Sequence, residues 1–357
     1  MDLSTLSNLT DPVILFFVLG LLAGSLRSNL EVPPPVTKFL SLYLLMAIGF
    51  KGGQALAESG LTATALTVIA IAMTLSLVIP AIGYLVLRRR VNPFDAAAIA
   101  ATYGSVSAVT FIAASQVLTA RGDAPGGHMT VALVLMESPA IVMAVVLAGW
   151  ARSQAASRQI ATVGGGATPL ATGIGASSGS EVAAGRAGGR PERSEGVGGV
   201  LRGAFTEGTF LLLVGSLVIG AATGPAGGEA MTPFINDIFK GLLAFFLLEM
   251  GLLVARQTRE VKGIPPFLVG FAIVMPLVGA GLALLLGSAA GLTVGDLTLL
   301  MVLAASGSYI VVPAVVRYAI PEALPSRYLT MSLAITFPFN IVVGIPLYHA
   351  VAEMIAR

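Results

Sequence analysis

The sequence contains no cysteine, which removes disulfides, thiolate metal sites and cysteine nucleophiles at once. Charge is scarce: Asp, Glu, Lys and Arg make up 11% of the chain, against roughly a quarter in a typical soluble domain. The formal net charge of +2 offers no basic field to recruit nucleic acid. The two histidines, His128 and His349, are too few for a histidine metal cluster, and both are expected to be solvated at helix ends. There is no phosphate loop, nucleophile elbow or metalloprotease histidine pair, so no enzyme activity and no cofactor are expected. What remains is apolar, 56% of the residues, arranged in long runs that exclude an ordinary water-soluble fold.

A hydrocarbon core of roughly 30 Å needs about 20 apolar residues per helix. Ten runs of suitable length, bounded by charges, Pro or Gly, fall at 11–27, 36–57, 61–87, 94–120, 129–151, 203–224, 233–255, 264–290, 294–319 and 325–354. The first is preceded by Asp2 and Asp11 without Lys or Arg. It lacks the basic start of a secretory signal and reads as a retained span. Residues 152–200 are rich in Gly, Ala, Ser and Arg and poor in large apolar side chains, so they cannot offset their ordering entropy and are expected to form a disordered linker.

The halves on either side of that linker, 1–151 and 201–357, repeat one another. Gly24 and Gly220 lie 196 residues apart, Gly49 and Gly251 202, Gly104-Ser105 and Gly307-Ser308 203, and Pro139 and Pro338 199. Five spans is an odd number, so the second half must run through the membrane inverted, an arrangement common to many secondary transporters. The expected fold is therefore all-α integral membrane, ten helices in two inverted five-helix repeats. Basic residues test the orientation. With the N-terminus outside, only Lys51, Arg121, Lys240 and Arg357 of the 20 Lys and Arg fall outside, as the positive-inside rule requires of an inner (plasma) membrane protein.

In such architectures the ligand sits near the midplane, where paired helices break and expose backbone amides at the positive end of a half-helix dipole. Two spans look broken. Tyr103-Gly104-Ser105-Val106-Ser107-Ala108-Val109-Thr110 lies in the middle of span four, and Ala305-Ser306-Gly307-Ser308-Tyr309, followed by Pro313, lies at the matching place in span nine. Glycine permits the turn, proline removes a helix hydrogen bond, and hydroxyls satisfy freed backbone groups or bind a ligand. Such a cradle suits a small oxyanion such as bicarbonate. The alternative is that these small residues merely let helices pack closely.

Ionisable residues inside spans are costly and point to function. Glu137, two residues before Pro139, is placed to coordinate a cation or to hydrogen-bond the broken span-four backbone. Glu249 in span seven has apolar flanks and no counterpart in the first half. Lys51, near the outer end of span two, is expected to snorkel to the interface. Trp150 and Tyr84 are expected in an aromatic belt at the cytoplasmic helix ends.

Together these stretches resemble the sodium-dependent bicarbonate transport permease family. The likeness rests on Ile48-Gly49-Phe50-Lys51-Gly52-Gly53, Gly104-Ser105-Val106-Ser107-Ala108-Val109-Thr110, Glu137-Ser138-Pro139-Ala140-Ile141-Val142, Glu249-Met250-Gly251 and Ala305-Ser306-Gly307-Ser308 with Pro313. The resemblance implies a bicarbonate and sodium symporter, commonly trimeric, whose cytoplasmic face is inhibited by a PII-like nucleotide-sensing protein. It makes Gly104, Ser105, Ser107, Thr110, Ser306, Gly307 and Ser308 the substrate site, with Glu137, Glu249 and Tyr309 as positions for cation binding or coupling. Two residues depart from the pattern: Tyr309 stands where the family has an acid, and Glu137 where it has Asp. Other readings stay open at this stage: a different small anion or carboxylate, proton rather than sodium coupling, or a membrane sensor signalling through residues 152–200.

Overall fold

The computed structural model describes residues 12–60, 62–163, 208–261, 263–309 and 311–356, and among these every regular element is helical. In chain order they are α1 (Pro12–Ser25), α2 (Pro34–Ser59), α3 (Ala63–Leu87), α4 (Pro93–Gly104), α5 (Ala108–Arg121), α6 (His128–Val163), α7 (Gly208–Thr232), α8 (Phe239–Val261), α9 (Pro266–Ala289), α10 (Val294–Ala304) and α11 (Val311–Ala319). The last, α12 (Pro325–Ala356), contains π-helical turns at Met331–Thr336 and Asn340–Gly344.

Seven helical stretches among the described residues are long and apolar enough to cross a membrane, α4 and α5 counting together as one. Helices α1 and α10 are shorter apolar pieces. The outward faces are apolar: Leu66, Leu77 and Leu85 on α3 and Val274, Leu277 and Leu285 on α9 are exposed. Water would penalise so large an apolar surface, whereas lipid solvates it. This is a multi-pass membrane protein.

Two crossings built on glycine hold α1 and α2 to the second half. A methyl group at Gly20 of α1 would overlap the Leu248 carbonyl of α8, and one at Gly53 of α2 would overlap the Leu217 carbonyl of α7. Hydrogen at these positions lets backbones touch, which is how helices associate where lipid removes the hydrophobic drive. The partners respond in kind, with Gly251 of α8 against Phe17 and Gly220 of α7 against Phe50.

The remaining helices enclose α4 and α10. Residues 96–101 of α4, Ala-Ala-Ala-Ile-Ala-Ala, are fully buried on every side, and a helix apolar all round belongs in an interior. Small side chains let its neighbours close in: Gly104 seats the Pro80 ring of α3, and Gly279 of α9 meets the Ala304 backbone of α10.

Several expectations change here. Helix α6 runs through Val163, so residues 152–163 continue the fifth span's helix instead of starting a linker, and residues 164–200 lie outside the described ones. Tyr84 is buried and packs 6.3 Å from the exposed Trp150 ring, so only the tryptophan remains available to a belt. Lys51 does not stretch away: its ammonium lies 4.6 Å over the Phe239 ring, a cation–π contact that stabilises the charge locally. Nor are the histidines solvated. His349 is 2% exposed and paired with Asp123 at 2.9 Å, while His128 faces Asp296 at 3.2 Å. Asp123 in the α5–α6 loop and Asp296 in the first turn of α10, both distant in sequence from the ring they meet, capture the two histidines.

Candidate functional site

The chain leaves helical geometry between α4 and α5 and again between α10 and α11, and the two breaks meet. Ser105, past the end of α4, and Ser107, before the start of α5, both adopt extended backbone. Ser107 is the N-cap of α5: its hydroxyl accepts from the Thr110 amide at 3.2 Å and from the Thr110 hydroxyl at 2.9 Å. This is the ordinary reason for serine at a helix start.

The breaks are stitched together through polar groups. The Ser107 amide donates to Ser306 Oγ at 3.1 Å, and the Ser308 amide donates to the Thr102 carbonyl at 2.9 Å. Ser306 Oγ donates to Leu303 O at 2.9 Å, and Ser308 Oγ accepts from the Val312 amide at 3.4 Å. Helix α12 supports the second break from behind, where Asn340 Nδ2 donates to Ala305 O at 2.8 Å and is itself held by the Tyr348 hydroxyl at 3.1 Å. Unpaired backbone groups are expensive in a membrane interior, and these partners meet that cost. The N-termini of α5 and α11 thereby converge from opposite breaks and bring two partial positive charges to one place.

A cavity of about 30 Å³ opens at this crossing, lined by Val106, Ser107, Ala108, Ser308 and Tyr309 from the breaks, Leu133 and Glu137 from α6, Leu45 from α2, and Thr209 and Leu213 from α7. One water needs roughly 10–15 Å³ of such space, so the cavity suits a few small atoms. Glu137 is 5% exposed, and its Oε2 accepts a 2.6 Å hydrogen bond from Ser105 Oγ. Tyr309 stands opposite, with its phenol oxygen 3.5 Å from Ser107 Oγ.

Most residues singled out from the sequence therefore come together, in different capacities. Ser107, Ser308, Glu137 and Tyr309 face the cavity. Ser105 holds Glu137, Thr110 and Ser306 brace the Ser107 turn, and Gly104 serves packing against Pro80. Gly307 lies 3.7 Å from the Thr102 carbonyl, measured from where a Cβ would stand, which is ordinary contact. Glu249 is elsewhere. It lies buried on α8 among Thr37, Glu31 and Arg256, and neither its Oε2 nor Thr37 Oγ1 makes an aligned hydrogen bond.

Sequence reasoning passed over the α2 and α7 wall of Leu45, Thr209 and Leu213, which carries no polar or periodic signal. It also passed over Asn340 and Tyr348, whose role depends on a contact 35 residues away in sequence. Asp123, His349 and Glu353 bring metal-capable atoms within 4.8 Å of one another. The Arg121 guanidinium, however, lies 2.8 Å from His349 Nδ1, and a fixed cation in that position makes the cluster an ion-pair network and not a metal centre.

Broken helices meeting at a small, mainly apolar cavity with a few convergent polar groups, inside a multi-pass bundle, define a membrane transporter for a small solute. Comparison with known families makes this specific: residues 12–353 match the Na+-dependent bicarbonate transporter superfamily, and the chain belongs to that family. The curated proteins contain no match to it.

Proposed function

We propose that the protein is a secondary active transporter that imports bicarbonate by sodium symport, with the anion held where the two helix breaks cross. The observation that carries this reading is the cavity in which the α5 N-terminus, the Ser107 and Ser308 hydroxyls and the Glu137 carboxylate converge. Helix N-termini and hydroxyls attract an oxyanion, but the carboxylate repels it. Two like charges about 4 Å apart repel by about 4 kcal/mol at an effective dielectric of 20, so an anion can stay only if a cation accompanies it. Coupling follows from that electrostatic need. Glu137, with Ser105 beside it, is the natural seat of the cation, and Tyr309 contributes a neutral phenol in place of an acid.

The architecture we propose is ten spans in two inverted repeats, 1–151 and 201–357, with the N-terminus outside an inner membrane. Support comes from the matched crossings of α1 with α8 and of α7 with α2, and from the matched caps of α4 and α10. A trimer, and a PII-like regulator docking at the cytoplasmic face, complete the proposal on family likeness.

The phenol of Tyr309 favours one alternative, a different small anion or carboxylate, sodium- or proton-coupled. Reconstituted protein in liposomes tests both: labelled bicarbonate should accumulate with an inward sodium gradient and not without one. Uptake that follows a proton gradient and ignores sodium would select the alternative coupling. Folded protein that moves no bicarbonate under either gradient would withdraw the substrate.

A further inference from the structure

The two broken helices begin alike and are held differently. Asn92 caps α4 and Thr293 caps α10, each side chain accepting the amide of the aspartate three residues on, Asp95 and Asp296. Both aspartates are buried, and each reaches across to the opposite half of the chain. Asp95 accepts the Leu324 amide at 2.9 Å and Arg327 at 2.5 Å. Asp296 accepts the Gly126 amide at 2.8 Å and faces His128 Nε2 at 3.2 Å. Each aspartate thus takes one loop amide and one basic side chain from the start of the following helix, α12 or α6. The geometry repeats, but the chemistry does not. Arginine keeps its charge at every accessible pH, whereas histidine changes charge between about pH 5 and 8.

We propose that His128 and Asp296 form a titratable latch that positions α10, and through it the Ser306 and Ser308 side of the cavity, so that anion affinity depends on pH at the membrane face where α6 begins. Asp95 and Arg327 are the fixed counterpart at the other end. His128 Nε2 approaches Asp296 Oδ2 to 3.2 Å, and a contact of this kind is roughly twice as strong when the ring is charged as when it is neutral. Helix α10 is buried along its whole length from Val294 to Ala304 and transmits a shift of its start to its end as a rigid rod. His128 is accordingly a positioning residue and touches no substrate.

Other ionisable groups share this end. Arg121 and Asp123 flank the α5–α6 loop, and the Asp123 carbonyl abuts Gly295 beside the latch. On α12, His349 has both ring nitrogens engaged, with Arg121 at 2.8 Å and Asp123 at 2.9 Å, and Glu353 lies 3.7 Å from Nδ1. Lys51 and Glu58 on α2, Glu229 on α7, Asp237 before α8 and Lys240 at its start, next to Lys51, also lie toward this end. Asp296 is the only one of these groups paired with His128. The sign follows: the latch holds while His128 is charged, at acid pH, and loosens as pH rises.

The affinity consequence rests on the transport reading above; the latch itself does not. In liposomes with pH set separately on the two sides and bicarbonate ion held at constant concentration, wild-type KM should rise about fivefold between about pH 5.5 and about pH 8.5 on the His128 side, the factor that about 1 kcal/mol of lost positioning produces. His128→Arg, or His128→Lys if arginine does not fit, should flatten that profile at the low KM. Arg327→His should create a similar rise when pH is varied on its own side. A flat wild-type profile, a wild-type profile in both charge-fixed variants, or a profile abolished by His349→Gln alone overturns the proposal. Amide exchange of the first α10 turn and of Gly126, measured on the full chain in nanodiscs and corrected for intrinsic rates, reads the latch without substrate. Protection about fivefold greater at acid pH, lost in His128→Arg, supports it even if bicarbonate is not the cargo; pH-independent protection refutes it.

Discussion

Ser107 is where local structure and proposed chemistry overlap, and three substitutions separate them. Its hydroxyl caps α5 through the Thr110 amide and receives the Thr110 hydroxyl, and it also faces the cavity. Ser107→Ala removes all three interactions. The cap is worth about 1 kcal/mol and the orphaned Thr110 hydroxyl about another, so the folded protein should lose roughly 2 kcal/mol in a denaturation assay in detergent. A hydrogen bond to an anion is worth about 1.5 to 3 kcal/mol, so KM for bicarbonate should rise about 10- to 100-fold. Ser107→Gly costs a helix start only a few tenths of a kcal/mol as a cap yet still deletes the hydroxyl. It should recover the cap and lose only about 1 kcal/mol, from the orphaned Thr110 hydroxyl, while showing the same KM defect. Ser107→Thr retains the oxygen and should stay near wild type in both. Initial uptake rates across a bicarbonate series, with stability measured on the same preparations, read all three. If Ser107→Gly restores the wild-type KM, the hydroxyl only caps the helix; if Ala and Gly both transport within about twofold of wild type, the anion does not sit here, because a lost charged hydrogen bond cannot be that small.

Glu137→Gln keeps an acceptor for Ser105 but removes the negative charge, so sodium stimulation of uptake should fall at least about tenfold while the protein remains folded; a sodium titration of uptake checks it. Gly53→Ala forces a methyl into the Leu217 carbonyl and should destabilise the α2–α7 crossing by about 1 to 3 kcal/mol, visible as a lower unfolding temperature in detergent. Arg327→Ala leaves the fully buried Asp95 carboxylate without its counter-ion. Removing one member of a buried pair costs about 3 to 5 kcal/mol, so yield and thermal stability should both drop sharply, whereas Arg152→Ala, which breaks a half-exposed pair with Glu322, should change stability by less than about 1 kcal/mol.

Parts of the site were legible because they obey local rules. Glycine, serine and proline in the middle of an apolar run announce a helix that cannot continue, and both breaks lie where that pattern occurs, at Ser105–Ser107 and Ser306–Ser308. Glu137 announced itself as a carboxylate in an apolar run. Glu249 gave the same signal yet lies on α8, next to Thr37 and apart from the crossing, because an intramembrane charge tells that a partner is needed and not which one. The histidines misled for a related reason: composition placed them at helix ends, but Asp123 and Asp296, distant in sequence, bury them.

Membrane residence, the apolar runs, the two breaks and the residue types at the cavity were determined by the sequence alone, since each depends on hydropathy and backbone chemistry within a few consecutive residues. Only the tertiary structure decided that the breaks cross, that Ser107 bonds Ser306 across 199 positions, that Leu45, Thr209 and Leu213 close the cavity, and that Asp95 takes an arginine where Asp296 takes a histidine. Those contacts join segments whose separation along the chain leaves no periodic trace, and close packing of helices on glycine sets them in place.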